Sequence, residues 1–142
     1  MVCTETTRVI FLSEGGLLNT LAEKISDSEL EVMKVLWEAE DALPVTSIRE
    51  SLEQRKGWEA TTIKTLISRL LGKGAIRQEK RKVYFYWPLI SEKEYNTWAT
   101  ENLIRKLYKG STKDLVAALV TSDGLTKEDI EELRMMFLEG TL

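Results

Sequence analysis

Histidine is absent from the 142 residues, cysteine occurs once, at Cys3, and proline only twice. A single thiol excludes an intramolecular disulfide, so nothing indicates an oxidising compartment. Without imidazole and with one thiolate, a zinc site of the usual ligand set cannot be built within one chain. Every triad or dyad that relies on a histidine base is excluded as well. No metal and no cofactor are expected. No apolar run approaches the roughly 20 residues of a membrane span. The apolar residues 9–12 are too few for a secretory leader and follow no basic segment, so a cytoplasmic protein is expected. There is no nucleophile–base pair and no phosphate-cradling glycine loop. Glu128, Asp129, Glu131 and Glu132 fall in the first turns of a helix, where the dipole favours carboxylates. The chain is not expected to be an enzyme.

What is present is periodic. Residues 1–22, with Gly15 and Gly16, lack a sustained period and are expected to form a flexible N-terminal extension. Ser26-Asp27-Ser28-Glu29 has the form of a capping box, followed by Leu30, Met33, Leu36 and Trp37 at helical spacing over about 27–39. Asp41-Ala42-Leu43-Pro44 breaks that helix, and a short second one follows Thr46, with Ile48 and Leu52 inward. From Glu59 to Leu71 a third helix carries Ile63, Leu66, Ile67, Leu70 and Leu71 on one wide apolar stripe, stopped by Gly72-Lys73-Gly74. The period then changes to two. Val83, Phe85 and Trp87 point one way and Tyr84 and Tyr86 the other, and with Ala75-Ile76-Arg77 this predicts a two-stranded hairpin with its tip at residues 79–82. Most of these aromatics are expected to serve packing. Three further helices follow. The first carries a row of Tyr95, Ala99, Leu103 and Leu107, widened by Trp98, Ile104 and Tyr108. The second carries Leu115, Val116, Leu119 and Val120. The last, capped by Thr126, carries Ile130, Leu133, Met136 and Phe137.

Three helices and a hairpin, in that order, make a winged helix-turn-helix domain, expected over 23–90, with a helical domain over 91–142. The fold is therefore expected to be mainly α with a small β-hairpin wing. Opposite the stripe of the third helix, Thr61, Thr65 and Ser68 share a row flanked by Thr62, Lys64 and Arg69. Short hydroxyl side chains let a backbone approach base edges, and threonine offers its methyl to thymine. Residues 45–87 hold ten Lys or Arg against four Asp or Glu, a local charge of +6, while the rest of the chain carries −9. The positive field sits where duplex phosphates would lie.

The strings ISDSELEVMKVLW, GWEATTIKTLISRLLGKGAI, VYFYWPL, ENLIRKLYKG and LTKEDIEELRMMF, in order over about residues 24–138, resemble the penicillinase-repressor (BlaI/MecI/CopY) family. The most specific part is Trp58, Thr62, Ile63, Thr65, Leu66, Arg69 and Leu70. The resemblance implies a transcriptional repressor that binds a palindromic double-stranded DNA operator, typically with TACA/TGTA half-sites, as a homodimer. It implies control of an antibiotic-resistance or cell-wall-stress operon. Family contacts carry over to Thr61, Thr62, Lys64, Thr65 and Arg69, with wing support near Arg81 and Lys82. The dimer would form from about Ser91 onward, through Tyr95, Trp98, Ala99, Leu103, Leu107, Leu115, Leu119, Ile130, Leu133 and Phe137. The β-lactam branch is derepressed by cleavage at an Asn-Phe bond. Asn102-Leu103 aligns with it, a candidate site for a membrane sensor protease with leucine in place of phenylalanine. The copper-responsive branch ends in a cysteine-rich tail, and this chain ends Gly140-Thr141-Leu142. The alternatives are a copper-type metal-homeostasis repressor lacking that tail, and a winged-helix protein-interaction module.

Overall fold

A computed structural model describes Ala22 and residues 24–140. The expected extension therefore lies outside the described residues except for its last member, Ala22, which is helical and buried. The chain forms two compact units, one ending at Trp98 and one starting at Ala99.

In the first unit, α1 (Asp27–Glu38) starts on the expected capping box: the Ser26 hydroxyl accepts from the Glu29 N–H at 3.2 Å, and the Glu29 carboxylate accepts from the Ser26 N–H at 2.9 Å. The two bonds satisfy two of the donors that a helix start leaves unpaired. Two residues, Leu43–Pro44, form β1, and α2 (Val45–Lys56) follows at once, earlier than the Thr46 start expected. Recognition of β1 from sequence had no basis: a two-residue strand has no period, and Pro44 signals a break. Proline is tolerated there because β1 lies at the sheet edge. The third helix, α3 (Ala60–Lys73), ends at Gly74, whose φ of 79° is the left-handed conformation that glycine adopts without penalty.

The wing consists of β2 (Ile76–Lys80) and β3 (Tyr84–Pro88), antiparallel, with Gln78 opposite Tyr86 and Lys80 opposite Tyr84. With β1 it forms a three-stranded sheet ordered β1-β3-β2. The expected alternation holds, and the tyrosine face is the one turned inward: Tyr86 is buried with Ile76, whereas Tyr84 near the tip stays exposed. The tip itself is residues 81–83, because β2 runs on to Lys80.

The core joins Val32, Met33, Val35 and Leu36 of α1, Ile48 and Leu52 of α2, and Ile63, Leu66, Ile67 and Leu70 of α3. Polar contacts fix how these helices meet. Arg55 holds Glu38 through two parallel bonds of 2.5 and 2.6 Å, joining α2 to α1. The Trp37 indole donates to the Ile90 carbonyl at 2.8 Å, and its ring packs on Tyr95, which in turn packs on Trp98. This joins α1 to the start of α4 (Glu92–Leu107), which opens on its own reciprocal Ser91–Glu94 cap.

One carboxylate is buried among these apolar residues. Glu29 is 1 % exposed and accepts from the Lys73 ammonium at 2.5 Å; the same ammonium donates to the Lys24 carbonyl at 2.6 Å. Burial would push the Glu29 carboxyl up. The hydrogen bonds from Lys73 and Ser26, with the charge of the ammonium, outweigh burial and hold it below the usual glutamate value.

In the second unit, Ser111 caps α5 (Thr112–Thr121), and a Thr126–Asp129 capping box starts α6 (Lys127–Glu139). Neither helix has a buried residue. Leu107 is 66 % exposed, Phe137 58 % and Leu138 69 %.

Two outcomes test this fold. Leu70 is fully enclosed, so Leu70→Ala should cost about 3 kcal/mol in urea unfolding; a loss below about 1 kcal/mol would mean that α3 packs differently. Because the folded Glu29 value is lowered, its contribution is fully present above the unfolded glutamate value and is lost as pH falls through the folded one. Stability should therefore drop on acidification below about pH 5, and less steeply in Glu29→Gln. Identical slopes would remove Glu29 from the account.

Candidate nucleic-acid interface

The stripe that ties α3 into the core determines what its other side shows. With Ile63, Leu66, Ile67 and Leu70 buried, Thr61, Thr62, Lys64, Thr65, Ser68 and Arg69 are all exposed. Between this side of α3 and the tyrosine face of the wing runs an open groove of about 710 Å³. Thr61, Lys64, Thr65, Ser68 and Arg69 line it from the helix, Tyr84 and Tyr86 from β3, and Val45 from the start of α2. Thr62 is exposed but does not line the groove, nor do Arg81 and Lys82 at the wing tip.

Hydrogen bonding shapes what the helix offers. The Thr65 hydroxyl donates to the Thr61 carbonyl at 2.9 Å. Its proton is thereby used inside the helix, leaving an oxygen acceptor and a methyl to face outward. At the N-terminal end, Glu59 stands at the cap position but makes no side-chain cap bond. The first-turn N–H groups and the positive end of the helix dipole are thus free of a carboxylate cap.

Cations divide into two groups. Arg49 pairs with Glu53, Arg55 with Glu38, Lys56 with Glu31 and Lys73 with Glu29. These pairs lie within α2 or join elements of the scaffold. Lys64 and Arg69 on α3, and Arg77 and Lys82 on the wing, are exposed and form no ion pair with the described residues. Arg81 is engaged differently from Lys82: it bonds Glu79 at 3.0 Å and stacks over the Phe85 ring at 4.4 Å. Lys80 sits 5.9 Å from the centre of the Tyr84 ring.

Tyr84, Tyr86 and Val45 line the groove but were not assigned to the interface from sequence; the tyrosines dominate the wing side. Their shared face was visible in the alternation of β3, but which face met α3 was not. Burial, with a smaller effect from Tyr84, pushes the Tyr86 hydroxyl above the usual phenol value, so it stays a neutral hydroxyl at physiological pH. Among the described residues no cluster of His, Cys, Asp or Glu could hold a metal ion.

Of the residues expected at a dimer interface, Leu103, Leu107, Leu119, Ile130 and Phe137 are exposed, and Leu115 and Leu133 partly so. Tyr95 and Trp98 pack on each other in the first unit, and Ala99 is half-buried. Exposed Val120, Met135, Met136 and Leu138 extend the apolar surface beyond the residues expected.

Comparison with known proteins matches residues 25–139 to the penicillinase repressor family. The chain is 38% identical over 112 residues to the methicillin resistance regulatory protein MecI of Staphylococcus aureus (strain N315), covering 78% of this chain and 90% of that protein. It is 32% identical over 117 residues to the penicillinase repressor of Bacillus licheniformis, covering 82% and 91%. The solution structure of the Bacillus licheniformis BlaI monomeric form in complex with the blaP half-operator is 38% identical to it, covering 51% of this chain and 88% of that one, with a TM-score of 0.46. With more than two thirds of its length matched to the family and to the MecI and penicillinase repressor sequences, the chain belongs to the penicillinase repressor family.

Proposed function

We propose that this chain is a transcriptional repressor that binds double-stranded operator DNA through α3 and the wing, as a homodimer on a palindrome. The observation that carries the reading is the two-sidedness of α3. One side is buried, and the other presents hydroxyls and cations that form no ion pair among the described residues, beside a basic wing. Inserted into a major groove, α3 would bring Thr61, Thr65 and Ser68 to base edges, while Thr62, Lys64 and Arg69 reach bases or phosphates along the groove walls. Lys82, with Arg81, would contact phosphates from the wing. The curated relatives are a methicillin resistance regulator and a penicillinase repressor, which supports control of an antibiotic-resistance or cell-wall-stress operon in the cytoplasm. No helix among the described residues is long and apolar enough to cross a membrane.

The winged helix-turn-helix domain is proposed over 23–90 and the dimerisation domain over 91–142, with Tyr95, Trp98, Ala99, Leu103, Leu107, Leu115, Leu119, Ile130, Leu133 and Phe137 at the contact. Support comes from the apolar surface of α5 and α6, none of whose side chains is fully buried among the described residues of one copy. The Asn102-Leu103 bond is the proposed point of inactivation by a membrane sensor protease.

Lys64→Gln should weaken binding to duplex DNA from upstream of the chain's own gene and flatten its salt dependence by about one unit of slope, as measured by gel shift across salt concentrations. Unchanged affinity and slope would take Lys64 off the DNA. Leu107→Asp should give monomers in sedimentation and lower operator affinity, because linked half-sites share one association cost. A variant that remains a tight dimer would place Leu107 outside the interface.

A further inference from the structure

We infer that the pair formed by buried Glu29 and half-buried Lys73 is a positioning device that sets the pose of α3 for sequence-specific reading of DNA; the inference rests on the DNA-binding role proposed above. The stripe of Ile63, Leu66, Ile67 and Leu70 holds α3 against the core, but apolar contact is non-directional and tolerates small slides and rolls. A hydrogen-bonded ion pair does not. Lys73 is the last residue of α3, and its ammonium is held at two points: the Glu29 carboxylate at 2.5 Å and the Lys24 carbonyl at 2.6 Å. Glu29 is itself fixed by its bond to the Ser26 N–H at 2.9 Å. The far end of the DNA-facing helix is thus tied to the N-cap of α1.

The lever is long. Thr61 lies twelve residues from Lys73, about 18 Å along the axis, so a tilt of about 10° about Lys73 moves it sideways by about 3 Å. A hydrogen bond to a base edge does not survive such a shift. Phosphate attraction, being longer-ranged, does. Loss of the pair should therefore reduce sequence discrimination more than total affinity.

The test uses the full chain and two duplexes of equal length, one carrying a TACA/TGTA palindrome and one scrambled. Lys73→Met alone strands a buried carboxylate and is expected to unfold readily. The informative variant is Glu29→Gln with Lys73→Met, which keeps the acceptor for the Ser26 N–H and leaves no buried charge. Its melting temperature should lie within a few degrees of the parent's, while the palindrome-to-scrambled affinity ratio falls about tenfold and the salt slope stays unchanged. Lys73→Arg, which retains a cation for Glu29, should keep the ratio within about threefold of the parent.

A parental ratio in the double variant would show the pair to be structural only and overturn the inference. A salt slope reduced by about one unit would also overturn it, by placing Lys73 on a phosphate. If the double variant does not fold, Glu29→Gln alone decides: a ratio lowered severalfold in a folded protein supports positioning, and a parental ratio overturns it. A parent that retains neither duplex refutes the DNA reading itself, a result separable from all of these.

Discussion

Burial of one stripe of α3 constrains everything else. Ile63, Leu66, Ile67 and Leu70 are enclosed by α1, α2 and the sheet, and each such side chain contributes about 2 kcal/mol of transfer free energy when removed from water. Turning the helix over would expose all four and bury Lys64 and Arg69 without partners, a far larger cost. The orientation of Thr61, Thr65 and Ser68 therefore follows from the packing of residues they do not touch. Their outward display is a consequence of the core, and any substitution that loosens the core also blurs the surface it presents.

Charge placement follows the same division. In α2 and at the end of α3, cations meet carboxylates and join elements: Arg55 to Glu38, Lys56 to Glu31, Lys73 to Glu29. On the outer side of α3 and on the wing, Lys64, Arg69, Arg77 and Lys82 have no such partner among the described residues. An unpaired cation can neutralise a phosphate and release its counterions without first breaking an internal bond. The net excess of positive charge over residues 45–87 thus overstates what is available to a duplex, because Arg55, Lys56 and Lys73 are neutralised by carboxylates outside that span, and the remainder is concentrated where a duplex would lie.

Much of this could be read from residue order because it depends on local rules. The period of α3, the Ser26–Glu29 and Thr126–Asp129 caps, the glycine stop after Lys73 and the alternation in β3 are all settled within a few residues of sequence. What could not be read depends on contacts across long separations. β1 exists only because Leu43 and Pro44 meet Tyr86 and Phe85. Tyr84 and Tyr86 join the groove only because that face of the wing turns toward α3. Glu29 looked like a helix cap and nothing more; its second role needs Lys73, 44 positions away. The Ser91–Glu94 cap is a different case, since its S-x-x-E spacing was there to be noticed at the start of the next helix.

The second unit extends the argument from one copy to two. Its helices are properly started, with Ser111 and Thr126 capping their first turns, so local rules favour helix formation there. Yet α5 and α6 enclose none of their own residues. Helices of 10 and 13 residues are marginal in water on propensity alone and owe most of their stability to packing of an apolar face. Leu119, Val120, Ile130, Phe137 and Leu138 supply such a face without the enclosure. A second copy, as proposed above, would supply it, and the same contact would join two α3 helices in one molecule. Stability of this unit and recognition of a two-fold operator would then depend on one surface, and cutting the chain near Asn102-Leu103 would remove both together.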